Sequence, residues 1–220
     1  MNLDAGPLTT HVTIPSGAAT LAARLTIPPA SKGIVVFAHD VWSSRSSRHD
    51  QLVARRLDQS SFATLLFGFL TQDEEREDDR GELRSDVGFL ADRLGDATDW
   101  VLRHPEARRL HVGYYGAGVG SAAAFILASR RSALVHAIVS RGGRTDLAGS
   151  ALGRVAAPTL LVVGSEDQRL VELNRKAYER LPCDRQLEIV PGATQPPDEP
   201  GALEAVADLA AGWFRQFLRP

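Results

Sequence analysis

Apolar residues are spaced along this chain in two alternating rhythms. Residues 33–39 (Gly-Ile-Val-Val-Phe-Ala-His) form an unbroken apolar run, the pattern of a strand buried on both faces. Comparable short runs recur at 62–66, 110–115, 134–140, 159–164 and 186–190. Between them the spacing changes to that of helices, at 50–57, 83–102, 121–130, 171–181 and 202–218. The helix at 83–102 is the clearest, with Val87, Leu90, Leu94, Ala97 and Val101 at intervals of three or four residues. Two β-prone runs at 11–28, parted by Pro15-Ser16-Gly17-Ala18, read as a hairpin. Strands and helices alternating behind an opening hairpin predict an α/β fold, with a mostly parallel sheet and helices on both faces. No Pro-, Gly- or Ser-rich linker and no internal repeat interrupts the pattern, so residues 1–220 read as one domain.

Composition narrows the function classes. Of 220 residues, 44% are hydrophobic, enough for a core that needs no disulfide or metal staple. The 25 basic and 27 acidic side chains leave a net charge of -2, which argues against a nucleic-acid binder. The single Cys183 rules out an intramolecular disulfide and any cysteine metal cluster, and it reads as a packing residue. A reducing, cytoplasmic setting is the expectation. The first 15 residues lack the charged start and apolar core of a signal peptide. Residues 110–129 form an uncharged stretch of 20, long enough to span a bilayer, and contain Gly116-x-x-x-Gly120. The glycines, tyrosines and histidine within it read better as strand, tight turn and helix, so no membrane partner is expected. Residues 73–86 hold eight acids and three arginines. They read as a solvated loop leading into a helix, with a metal or basic-partner site as the sharper alternative. No His pair has the i, i+4 spacing of metal ligands on a helix, so neither a metal nor another cofactor is expected.

The most informative segment is 111–124, His-Val-Gly-Tyr-Tyr-Gly-Ala-Gly-Val-Gly-Ser-Ala-Ala-Ala, a strand, a glycine-rich turn and a helix of small residues. A dinucleotide fingerprint is one reading. However, Ser121 stands at the third glycine position, other strands come first, and the strand around Ile138 offers no acid. The other reading is a nucleophile elbow, G-x-S-x-G, with Gly116 and Gly120 as the flanking glycines and Gly118 at the centre. Downstream, the strand at 159–164 leads to Asp167, and the strand at 186–190 leads through Pro191-Gly192-Ala193-Thr194 to Gln195. With the 36–39 run Val-Phe-Ala-His, the 65–67 run Leu-Leu-Phe and the 139–144 run Val-Ser-Arg-Gly-Gly-Arg, the chain resembles small α/β-hydrolases of the dienelactone hydrolase type. The likeness covers roughly residues 12–218.

That resemblance implies a single-domain α/β-hydrolase fold with triad-equivalent positions at Gly118, Asp167 and Gln195. Only the acid is retained. Gly118 offers no nucleophile, and the Gln195 amide cannot act as a general base near neutral pH. Loss of the serine or histidine from a triad costs on the order of 10⁶ in turnover. Asp167 precedes a helix and suits an N-cap. Asp40 stands in the oxyanion loop, where its carboxylate would oppose the stabilising donors. The implied ligand-binding set is His39, Asp40, Val41, Trp42, Val119 and Arg141. Ser43, Ser44, Ser46 and Ser47 read as a solvated loop, and Ser121 as helix packing. The leading expectation is a non-catalytic hydrolase-fold protein that binds a small anionic ligand at the strand ends. Two alternatives stay open. One is an enzyme of non-standard chemistry using Asp167 with a bound water, or using His39. The other is a structural or subunit-interaction protein. A homodimer is compatible with the sequence, which fixes no oligomeric state.

Overall fold

The computed structural model describes residues 6–39, 48–194 and 201–218. The opening hairpin pairs β1 (Leu8–Ser16) with β2 (Ala19–Ile27) across a turn at Gly17 and Ala18. Then come β3 (Ile34–Ala38), α1 (Arg48–Gln59) and β4 (Ala63–Phe67). The middle of the chain forms α2 (Gln72–Glu77), α3 (Glu82–Ser85), α4 (Val87–Arg103), β5 (Val112–Ala117), α5 (Val119–Arg130) and β6 (Val135–Arg141). A 3₁₀ segment (Thr145–Arg154) precedes β7 (Thr159–Gly164), α6 (Gln168–Arg180), β8 (Arg185–Val190) and α7 (Ala202–Phe217). The strands form one eight-stranded sheet in the order β1-β2-β4-β3-β5-β6-β7-β8. Both pairings of β2 are antiparallel and all others are parallel.

The continuous apolar runs are the strands they suggest. Every residue of β3, β4, β5 and β7 is buried, because helices cover both faces of the sheet. On one face α4 and α5 pack together, and Leu90, Leu94, Ala97 and Val101 meet Val36, Leu65, Tyr114 and Ile138 in one cluster. On the other, α1 and α7 enclose Val35, Phe37, Leu66, Tyr115 and Val139. Alternate residues of each strand feed alternate faces, so adjacent Tyr114 and Tyr115 belong to different cores.

Two local expectations need correction, and one element is new. The helix expected at 83–102 is broken at Asp86, which leaves helical geometry (ψ 91°) and accepts the Gly88 and Phe89 amides as the N-cap of α4. The acidic stretch is not simply a loop. Thr71 and Glu74 form a capping box that starts α2, and buried Asp78 accepts the Leu83 and Arg84 amides at α3. Glu74 also binds Arg93 through both carboxylate oxygens. The 3₁₀ segment lay outside any predicted element, and it is kinked where Gly149 takes φ 53° and ψ -128°. No helix among the described residues is long and apolar enough to cross a membrane, and residues 110–129 divide into β5 and α5.

Candidate functional site

Parallel strands deliver their C-terminal ends to one edge, and the sequence-derived site residues follow those ends. Ala38 pairs with Gly116, Gly116 with Ser140, and Ala117 with Arg141. His39, Gly118 and the last turn of β6 are therefore neighbours across three adjacent strands.

The turn at Gly118 is built by its glycines. Gly118 has φ 53° and ψ -125°, a conformation L side chains rarely adopt, and it joins β5 directly to α5. A Cβ on Gly116 would stand 2.7 Å from Ser121 Cα. One on Gly120 would collide with the Ala38 carbonyl and lie 2.5 Å from His39 O. The flanking glycines thus let α5 start tight against both strands, which is the packing a nucleophile elbow requires. The turn is braced from the side. The Gly118 amide donates to Arg141 O (3.4 Å) and the Arg144 amide donates to Gly118 O (2.9 Å). Because α5 starts at Val119, its first amides face the strand ends, and their partial charge favours an anion there.

The predicted residues do not all converge. His39, 6% exposed, sits at the end of β3 with its ring 5.6 Å from Phe69, and Val119 is buried at the first turn of α5. These two flank the elbow. Asp167 follows β7 and caps α6, its Oδ1 accepting the Leu170 amide at 2.9 Å. The loop after β8 is hung on the same corner. Glu166 donates its amide to Ala193 O at 3.1 Å, and Gly192 donates its amide to Ser165 Oγ at 2.8 Å. Asp40, Val41, Trp42 and Gln195, with Ser43, Ser44, Ser46 and Ser47, lie outside the described residues.

Arg141 is the last residue of β6, not part of the loop beyond it. Its backbone adjoins Gly118, but its side chain lines a separate small cavity with Val162, Val190, Thr194 and Val206. Sequence reasoning missed two groups near it. The Tyr115 hydroxyl is fully buried beside the guanidinium, and burial pushes its pKa up to about 12 against the pull of that positive charge. Asp50, buried in the first turn of α1, shares that face. Strand alternation in the 114–115 Tyr-Tyr pair was the available signal, since it sends one phenol to each core. Tyr114 finds Thr98 Oγ1 at 2.8 Å, whereas Tyr115 lies beside Arg141. Ser121 and Ser140 are likewise buried, with hydroxyls that lack a hydrogen-bond partner. Among the described residues, no three His, Cys, Asp or Glu side chains converge to hold a metal ion.

Comparison with known proteins adds ancestry to this geometry. No family model matches the chain. A crystal structure of a dienelactone hydrolase from Anabaena variabilis is 47% identical and superposes with a TM-score of 0.94, covering 97% of this chain and 99% of that one. Est1E from Butyrivibrio proteoclasticus shares the fold (TM-score 0.79, 94% of this chain, 98% of that one) at 13% identity. Proteins from two Mycobacterium tuberculosis strains, provisionally described as phosphoribosyl transferases, are 48% identical over 204 residues. That match takes in 93% of this chain but only 45% of theirs, so the chain spans about half the length of these curated relatives.

Proposed function

The chain belongs to the dienelactone hydrolase family, and from that premise we propose that it is a member without hydrolase catalysis, one that binds a small anionic ligand over the former nucleophile position. The carrying observation is Gly118, a residue with no side chain at the centre of an intact elbow. Hydrolysis through an acyl intermediate needs a nucleophile at that point, and the sequence also has Gln195 where the histidine belongs. Asp167 has a sufficient role in capping α6. What the elbow retains is the amide end of α5, bordered by His39 and Val119, which suits a carboxylate or phosphate group. In this reading Asp40, Val41 and Trp42 complete the ligand's surroundings, and the protein works in the reducing cytoplasm.

The test is restoration. The double variant Gly118→Ser with Gln195→His is expected to be labelled by a serine-directed phosphonate, and the parent is not. The parent is also expected to gain thermal stability from one or more small carboxylates or phosphates. Labelling of the parent, or parent turnover of activated esters that disappears in Asp167→Ala, would establish the enzymatic alternative instead.

A further inference from the structure

The sheet ends in two edge strands, and they are protected unequally. β8 pairs only with β7 and carries Arg185 and Glu188, the kind of charge that keeps an edge from pairing with another chain. β1, at the other edge, has no Lys, Arg, Asp or Glu from Leu8 to Ser16. Among the described residues nothing pairs with its outer side. Its side chains at 8–11 and 13 are exposed, and Leu8, at 54%, is one of only two large hydrophobic residues exposed among the described residues.

The free backbone groups of β1 follow from the pairing on its inner side. In an antiparallel sheet a strand turns alternate residues toward opposite neighbours. The Gly68 amide donates to Ala22 O, so Ala22, Arg24 and Thr26 of β2 turn toward β4. Leu21, Ala23, Leu25 and Ile27 then turn toward β1, where they face Ile14, Val12, Thr10 and Leu8. The amides and carbonyls of Thr9, His11 and Thr13 are left pointing away from the sheet. Pro7 and Pro15 continue the same alternation on either side, and neither has an N–H to offer.

This edge is complementary to itself. Laid antiparallel on a second copy about a two-fold axis at His11, it sets Thr9 against the second copy's Thr13 and His11 against its His11. Each pair then exchanges both backbone bonds, and Pro7 meets Pro15 where no donor is needed. A slip of two residues either way sets a proline against Thr9 or Thr13 and loses a bond. The same register lays the exposed Leu8 beside the second copy's Ile14, and Thr10 beside its Val12. We propose that β1 is a homodimer interface, joining two eight-stranded sheets edge to edge. β2 and β4 separate β1 from β3 and β5, so the inference does not depend on what the elbow does.

Sedimentation velocity of the parent over a wide concentration range tests this. A strand pair is a small interface, so the mass is expected to rise with concentration from 23.8 kDa toward twice that value. His11 is exposed, so its replacement leaves the fold of the monomer intact. His11→Lys and His11→Glu each bring like charges together across the two-fold axis, and each should weaken association about tenfold or more at low salt. Mixing the two variants in equal amounts should restore it, because lysine then faces glutamate. A parent that stays monomeric at every concentration, a His11→Lys variant that associates as the parent does, or a mixture that associates no better than either variant alone would overturn the proposal.

Discussion

Replacing Gly118 with alanine should destabilise the protein by an amount that the fold itself allows to be calibrated. Gly118 has φ 53° and ψ -125°, and Gly149 in the 3₁₀ segment has φ 53° and ψ -128°. A non-glycine residue in such a region costs about 1–3 kcal/mol. The substitution also stiffens the unfolded chain, which returns ~0.4–1 kcal/mol. The net expectation is a loss of roughly 1.5 kcal/mol, or ~3–6 °C in Tm for a chain of this size. Gly149→Ala isolates the strain, because nothing lies within 4 Å of the added methyl. It should cost the same. Gly153→Ala, also in open space but with no positive φ, should be neutral or slightly stabilising. Gly120→Ala drives its methyl into the Ala38 and His39 carbonyls and should cost about 3 kcal/mol or more. Urea unfolding of the four variants gives the ranking. If Gly118→Ala were as stable as the parent while Gly149→Ala was not, the elbow would not be a strained turn, and the physical account of why glycine suits it would be wrong.

Two further predictions concern ionisation. The Arg93 guanidinium bound to Glu74 holds that carboxyl down to about 2, below its ordinary 4.5, so the folded state prefers the ionised form. The stability this confers is present above pH 4.5 and is lost as pH falls toward 2. Glu74→Gln should remove about 1.5–3 kcal/mol at pH 7 and flatten the acid limb of a Tm–pH profile. Asp58 behaves oppositely. Burial raises its pKa from 3.8 to about 6, against the hydrogen bond from Thr64 and the charge of Arg24. The folded state therefore binds the proton more readily, and this group's contribution to stability grows as pH falls from 6 to 3.8. Asp58→Asn should raise Tm at pH 7.5 and lose that advantage near pH 4; a lower Tm at pH 7.5 would mean that the ionised carboxylate is needed.

How legible each feature was in the sequence follows from how local its cause is. The strands were legible because burial on both faces leaves an apolar run, as in β3 and β7. The start of α5 was placed two residues late because the turn at Gly118 consumes a single residue, which spacing alone does not reveal. Helix α2 was written in the sequence as a capping box from Thr71 to Glu74, but the density of charge around it masked the signal. The 3₁₀ segment had no usable periodicity, since it is short, tight and kinked at Gly149. At the site, Gly116, Gly118 and Gly120 could be recognised from spacing. The surroundings of Arg141 could not, because the strands and helix that line its side chain meet only in the fold.

The elbow also separates two requirements that the sequence motif runs together. Gly116 and Gly120 are demanded by packing: α5 cannot sit against β3 and β5 if either carries a side chain. They persist whether or not chemistry does, and the same is true of Asp167 for as long as α6 needs its cap. The central residue alone answers to the reaction, because there the backbone is strained for any other residue and comfortable for glycine. A lineage that stopped hydrolysing would relax at the centre first and keep the frame, which is the pattern at 116–120. High identity to a dienelactone hydrolase therefore does not by itself establish activity here, since packing and capping account for Gly116, Gly120 and Asp167. The decisive comparison is the reactivity of the parent against that of the double variant, because the double variant supplies both side chains whose absence the proposed reading rests on.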